Sequence, residues 1–455
     1  MTSTLPSPAA NPAATPAQPQ PAARRRYAVV GTGHRARLYV DALCGEHADV
    51  AELVALCDTN PARLAFHVER ARRAGTCDPA GYDGGDVARL LDDAAPDVVV
   101  VASPDRAHAA HVAAALHAGA DVVVEKPLTI DAEGMYTVQH AVRTSGRNLT
   151  VAHNYRYAAQ NTALREVVAD GRIGDVVSVH LEWMLDTAHG ADYFRRWHRD
   201  KSVSGGLLVH KASHHFDLVN WWTGDVPETV HARGGRRFYG DGAGDGGERY
   251  ALDLAADPEL DALYGDSART DGYRRDQDPF GPGATIEDTL SVLVGYRSGA
   301  SLTYALTAHS PWEGYRVAIN GTRGRAELDV VERCHSEAGL PGAAPTGGAH
   351  DGAASGCCAV RRRGGRLVVQ EHWGRAQEVA LPAVAGHAEG DVAMLRELFR
   401  GSASGATAGA GPADHRPDRR AGLSDGLRAV AVGIAGNRSL ATGQVVPLGS
   451  LGVAL

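Results

Sequence analysis

A chain of 455 residues is longer than one ordinary hydrophobic core supports, so two domains with added loops are expected. Apolar residues at 44% and charged residues at 22% describe a globular protein, and 54 glycines call for long irregular connections. The net charge of −8 argues against a nucleic-acid partner, which needs a basic face. Six cysteines, none in CxxC spacing, offer no metal-site pattern and suit a reduced, cytoplasmic chain.

Residues 1–25 are rich in Pro, Ala, Ser and Thr and read as a disordered lead without the apolar core of a signal peptide. No run approaches the roughly 18 apolar residues of a membrane span. Tyr27 to Val30 reads as a buried strand, followed by a turn over Gly31 to Ala36 and a helix from Arg37 to Leu43. Leu53 to Cys57 is a second strand ending in Asp58, and Asn60-Pro61 opens the next helix. Val98 to Ala102, a helix from His108 to Ala118, and Val122 to Val124 continue the alternation into Glu125-Lys126-Pro127. Continuously apolar strands alternating with helices imply a parallel sheet covered on both faces. Beyond residue 150 the texture changes. Val176 to Trp183 and Thr289 to Tyr296 alternate apolar and polar residues, and Ser298-Gly299 supplies a hairpin turn, which reads as antiparallel sheet. The expectation is an α/β Rossmann domain at 26–150 and an α+β domain at 151–455 with a large, mainly antiparallel open sheet. Inserted loops are expected at about 240–283, 335–364 and 401–420. The first carries eleven acids against four arginines from Asp241 to Gly283 and reads as a solvated surface loop.

The turn Gly31-Thr32-Gly33-His34-Arg35-Ala36 matches a dinucleotide fingerprint, with Ala36 in the third glycine position. Glycines there allow a tight turn and close approach of backbone to a pyrophosphate, which the following helix N-terminus attracts. Asp58 closes the next strand, where a carboxylate accepts ribose hydroxyls and repels a 2′-phosphate. NAD is therefore expected over NADP. The competing reading is an ordinary strand–helix turn with a solvated Asp58.

Two further segments carry more information. One is Ser103-Pro104-Asp105 with His108, followed by Glu125-Lys126-Pro127; the other is Gly205 to Leu218, containing His210, Lys211, His214, His215 and Asp217. With the glycine turn, they resemble the Gfo/Idh/MocA family of sugar and inositol oxidoreductases over roughly residues 26–330. The resemblance implies hydride exchange between a nicotinamide and a secondary hydroxyl or ketone of a sugar, sugar acid or cyclitol. It implies that Lys126 sits between nicotinamide and substrate, and that Pro127 fixes the turn, often through a cis bond. Ser103, Pro104, His108, Glu125 and Asn154 would then contribute to the cofactor site, with Tyr155 and Arg156 lining the cleft. It also implies a homodimer or homotetramer formed through the exposed sheet face.

Physical reasoning supports Lys126 independently. A lysine at the carboxyl end of a parallel strand points into the ligand crevice, and desolvation lowers its pKa towards proton exchange; the alternative is a structural pair with Glu125. The second segment departs from the family, which usually has Asp where this chain has His210. On one helix His210 and His214 share a face, so both imidazoles could meet one substrate hydroxyl. His214 is then the base and His210 its partner, with Lys211 beside them. HxxxH is also a metal spacing, but no HExxH acid accompanies it and no metal is expected. Asp217 reads as a salt-bridging residue. Tyr193, Arg196 and Trp197 suit a polyhydroxylated or anionic substrate, or else form a solvated surface helix. Two rivals remain open at this point: a redox-neutral NAD-dependent glycosidase, and a non-catalytic dinucleotide-binding regulator.

Overall fold

The computed structural model of the protein describes residues 23–240, 250–265, 267–336, 360–381, 387–401 and 419–455. Most of the lead and most of the expected loops at 335–364 and 401–420 lie outside the described residues.

The first domain alternates strands β1 Arg25–Val30, β2 Ala51–Asp58, β3 Ala80–Asp83, β4 Val98–Val101, β5 Asp121–Val124 and β6 Leu149–Val151 with helices. The helices are α1 Ala36–Cys44, α2 Pro61–Arg73, α3 Val87–Ala94, α4 His108–His117 and α5 Ala132–Ser145. All strand pairs are parallel, in the order β3-β2-β1-β4-β5-β6. That is the doubly wound Rossmann order, whose ligand crevice opens at the carboxyl ends of β1 and β4, where the strand order reverses. The valine run of β4 is buried on both faces, which is why it reads as unbroken apolar sequence. Local chemistry sets the helix starts. The Asn60 side chain accepts from the Ala62 and Arg63 N–H groups with Pro61 in the first turn, and the Asp131 side chain accepts from Gly134.

The second domain continues with α6 Ala159–Ala169, β7 Val176–Asp186, α7 Thr187–Arg195, α8 Lys201–Ser204, α9 Leu207–His210, α10 Ala212–Thr223 and β8 Pro227–Gly235. There follow α11 Pro258–Tyr264, α12 Ala268–Asp271, β9 Thr289–Tyr296, β10 Ser301–Ser310, β11 Glu313–Gly321, β12 Gly324–Arg333, β13 Gly364–Glu371 and β14 Gln377–Val379. The chain ends in α13 His387–Arg400, α14 Leu423–Thr442 and β15 Val446–Pro447. Nine strands form one open sheet, β14-β13-β12-β11-β7-β10-β9-β8-β15. Its pairs are antiparallel except β7 with β10, which run parallel, so Val176 to Trp183 is not purely antiparallel as its alternation suggested. Alternation reports a half-buried face, not the direction of a neighbouring strand. The inward face packs Trp183, Tyr304 and Tyr315 against Phe216 and Trp222 of α10.

The C-terminal helices return to the first domain. Leu395 and Phe399 of α13 join Tyr27, Val29 and Tyr39 in its outer core, the Phe399 ring meeting Tyr27 edge-on at 5.1 Å. In α14, a Cβ on Gly433 would lie 2.3 Å from the Leu208 carbonyl, so α14 presses directly on the backbone of α9 and fixes the position of His210 at its end. Cys44, Cys57 and Cys77 are free and buried, whereas Cys334 is disulfide-bonded, which corrects the expectation of a fully reduced chain.

Candidate active site

The glycine turn is sterically obligatory. Gly31 has φ +92°, and a Cβ there would lie 2.4 Å from the Ser103 nitrogen. The turn is closed from the second strand: the Thr32 and Asn60 N–H groups donate to the Asp58 carboxylate at 2.7 and 2.8 Å. Arg35 faces inwards, donating to Glu125 at 2.6 Å and bidentately to Asp391 of α13 at 2.8 and 2.9 Å. Glu125 also accepts from Tyr39, and Asp391 from Asn154, so Arg35, Glu125 and Asn154 form one network locking α13 to the Rossmann domain. The residues fit a dinucleotide on three observations: the Gly31 cradle, the opening helix of the turn, and buried polar atoms without a hydrogen-bond partner among the described residues. Those atoms include Thr32 Oγ1, Arg63 Nη1, Asn154 Oδ1 and Arg196 Nε.

At the carboxyl ends of β4 and β5 lies a chain of three ionisable groups. Lys126 Nζ is 3.3 Å from His210 Nε2 and also donates to the His210 carbonyl at 3.3 Å. His210 Nδ1 lies 2.5 Å from Asp105 Oδ2. Asp105 and His210 are buried, and Lys126 is half-buried. Burial, partly offset by the Asp105 carboxylate, brings Lys126 down to about 8. Burial and then the Lys126 charge hold His210 well below the usual imidazole range, while burial pushes Asp105 up against the pull of Lys126. The Lys126–Pro127 peptide is cis. His108, expected beside the cofactor, is instead buried between two backbone carbonyls, its nitrogens 2.7 Å from Pro127 O and 2.8 Å from Ser103 O. It braces the Lys126 turn against the Ser103–Pro104 loop.

Asp105 was not singled out by its sequence. The available signal was its place one residue beyond Pro104 at a strand end facing the crevice, the position from which α/β sheets address ligands.

The expected shared face of His210 and His214 does not form. The helix breaks at Lys211, and the two imidazoles engage different groups. His214 Nδ1 lies 3.5 Å from His153 Nδ1, and its ring packs edge-on against Tyr155. Lys211 is buried, donating to the Tyr155 hydroxyl at 3.4 Å with its ammonium over the Trp183 ring. Arg156, expected in the cleft, is only 2% exposed and pairs bidentately with buried Asp217 at 2.6 and 2.7 Å and with Asp425 at 3.1 Å. It holds α14 and α10 together rather than facing ligand. Tyr193, Trp197 and His198 pack around His210, with Trp197 stacked on His198 at 3.7 Å. Arg196 pairs with Asp192 at 2.7 Å in the same wall, so this segment is not a solvated surface helix.

The described part of the acidic insertion is not a solvated loop either. Its helices α11 and α12 lie on the glycine turn and α2. The Tyr264 hydroxyl accepts from the His34 N–H at 2.9 Å, Glu259 pairs with Arg37 and Arg70, and Asp271 accepts from Arg63 at 2.6 Å and Asn60 at 2.9 Å. The acids are drawn to cations on the Rossmann helices, a complementarity that net charge alone does not reveal.

A family model described as "Oxidoreductase family, NAD-binding Rossmann fold" matches residues 25–153, and one described as "Oxidoreductase family, C-terminal alpha/beta domain" matches residues 165–347. YteT of Bacillus subtilis (strain 168), named as an oxidoreductase, is 36% identical over 319 residues, or 65% of this chain and 73% of that protein. The chain belongs to the Gfo/Idh/MocA family of oxidoreductases. Inositol 2-dehydrogenase of Rhizobium meliloti (strain 1021) is 30% identical over 207 residues, 46% of this chain and 57% of that relative, so the match spans little more than half of it. Among solved structures, an oxidoreductase domain protein from Kribbella flavida has a TM-score of 0.61 at 18% identity, covering 93% of this chain and 99% of that one. Levoglucosan dehydrogenase, solved with NADH and levoglucosan, has a TM-score of 0.60 at 17% identity over 94% of this chain and all of that one. At such identities these two show the shared fold. Among the described residues no helix is long and apolar enough to cross a membrane.

Proposed function

We propose that this oxidoreductase is an NAD-dependent dehydrogenase acting on a secondary hydroxyl or ketone of a sugar, sugar acid or cyclitol. The observation that carries the reading is the Lys126–His210–Asp105 chain at the strand ends beside the glycine turn. The inositol 2-dehydrogenase name among its relatives supports the substrate class.

When bound, a nicotinamide dinucleotide supplies the hydride acceptor or donor. The Gly31–Arg35 turn with Thr32, Gly33 and His34 holds its diphosphate side, Asp58 its ribose hydroxyls, and Ser103, Pro104 and the Glu125–Pro127 turn its reactive end. Lys126 is the base: with a pKa of about 8, a useful fraction is neutral near pH 7 and can take a proton from a substrate hydroxyl. His210 Nε2, 3.3 Å from Nζ, accepts a hydrogen bond from Lys126 and orients the amine, and Asp105 holds the neutral ring in its Nδ1–H tautomer. Asp105 thus supplies, from the other domain, the carboxylate missing at position 210. His214 acts as a second polar contact, and Tyr193 and Trp197 present aromatic faces to a sugar ring. NAD is favoured over NADP because Asp58 and Asp271 both lie against Arg63 and repel a 2′-phosphate. We place the homo-oligomer contact on the outer sheet face, where Leu293 is half-exposed.

The test is to titrate the purified chain with NAD⁺ and NADP⁺ and follow reduced-nicotinamide absorbance across a sugar and cyclitol panel. Turnover that survives Lys126→Ala undiminished refutes the proton path; no turnover on any polyol refutes the substrate class.

A further inference from the structure

The geometry points to a second half of the dinucleotide site, built by the insertion: Arg275, with Arg196, grips the cofactor's diphosphate above the glycine turn and retains the dinucleotide through turnover. This rests on the dinucleotide reading above and adds residues from the other domain to it.

Three observations converge. The first is charge. Arg275 is 1% exposed, and its Nε and Nη2 make no hydrogen bond among the described residues. Its ionic neighbour Asp192 stands at 4.0 Å and is already bound by Arg196 at 2.7 Å, while Arg196 Nε is also unpaired. A buried and a half-buried guanidinium sharing one carboxylate leave positive charge and N–H groups unanswered, an arrangement that is costly unless an anion completes it. The second is position. The Arg275 guanidinium lies 5.0 Å from the Tyr264 ring centroid, and the hydroxyl of that ring accepts the His34 N–H of the glycine turn, where a helix start favours a phosphate. His34 is depressed to about 3, by burial first and by Arg275 next, as expected with that guanidinium over the turn. The third is anchorage. Glu259 ties α11 to Arg37 of α1 and Arg70 of α2, and Asp271 ties α12 to Asn60 and Arg63. The described parts of the insertion therefore bridge α1, which opens from the turn, and α2 beside it. A dinucleotide seated beneath them leaves only when these ion pairs open, so its dissociation is slow.

An anionic substrate group could use the same guanidiniums, and the experiment separates the two sources. Bound NADH is chased with excess ADP-ribose in a stopped-flow fluorimeter, reading energy transfer from tryptophan, for the full-length wild type, Arg275→Gln and Arg275→Lys. The expected result is NADH release at least tenfold faster in Arg275→Gln, with ADP-ribose affinity falling at least tenfold and adenosine affinity unchanged. Arg275→Lys, which keeps the charge without the planar fork, should release NADH at an intermediate rate. Unchanged NADH release and ADP-ribose affinity, with only the KM for an acidic sugar raised, overturns the proposal. If circular dichroism shows Arg275→Gln unfolded, Arg275→Lys decides alone: release at the wild-type rate overturns the proposal and severalfold faster release upholds it. A wild type that binds no nicotinamide dinucleotide defeats the function proposed above, an outcome distinct from any of these.

Discussion

Asp105→Asn isolates the carboxylate that the Rossmann domain lends to His210. The side chain is 3% exposed and its oxygen lies 2.5 Å from Nδ1, so it is a desolvated, charge-assisted hydrogen bond. Such bonds contribute about 1.5–3 kcal/mol. At about 1.4 kcal/mol per decade, that predicts a fall of about 10- to 100-fold in kcat for alcohol oxidation, with a small change in KM. The pH profile carries a second, independent sign. Burial lowers Lys126 to about 8 while Asp105 opposes the shift. Oxidation needs the neutral amine, so the wild-type rate rises with pH through a limb near 8. Without the carboxylate, burial is opposed chiefly by the weaker pull of Glu125, and the limb moves to lower pH. The assay is kcat and kcat/KM against pH from 5.5 to about 10, with NAD⁺ saturating. A variant with the wild-type plateau and the limb still near 8 refutes this role, because Asp105 would then neither orient His210 nor sense Lys126.

Three further expectations follow from the same geometry. Arg156→Met leaves Asp217, 1% exposed, without its bidentate partner and should destabilise the fold by about 3–5 kcal/mol in urea unfolding, with much of the loss restored by adding Asp217→Leu; a loss below about 1 kcal/mol would return Arg156 to the substrate cleft. Gly31→Ala puts a Cβ 2.4 Å from the Ser103 nitrogen at φ +92° and should abolish NADH binding measured by fluorescence titration, at a stability cost of roughly 1–3 kcal/mol. Asp58→Ala should raise the affinity for NADPH relative to NADH by about tenfold, read from paired dissociation constants; an unchanged ratio removes Asp58 from the ribose site.

What was legible in the chain divides along a physical line. The Rossmann half declares itself because each of its signals is local. A valine run must be a doubly buried strand, Gly31 must be glycine, and Pro61 behind Asn60 starts a helix whatever else the chain does. The second sheet was legible as half-buried strands, yet the parallel pairing of β7 with β10 was not, since direction depends on connections that alternation does not encode. Misjudged residues are those whose partners lie far along the chain. Arg156 meets Asp217 across 61 residues, His210 meets Asp105 across 105, and Tyr264 meets His34 across 230. A local pattern gave Arg156 and His108 to ligands because it could not see the carboxylate and carbonyls that occupy them.

The same reasoning explains His210. Read alone, it is a lost catalytic acid. In the fold, the carboxylate has moved from one end of the contact to the other: Asp105 stands on the loop after β4, and the imidazole spans the gap between it and Lys126. A carboxylate placed directly against Lys126 would hold the ammonium charged. Set behind a neutral ring, it stabilises the Lys126 ammonium only in part, leaving Lys126 low enough to act as a base. Full turnover with His at position 210 therefore depends on Asp105, and the two positions act as one unit split between two domains.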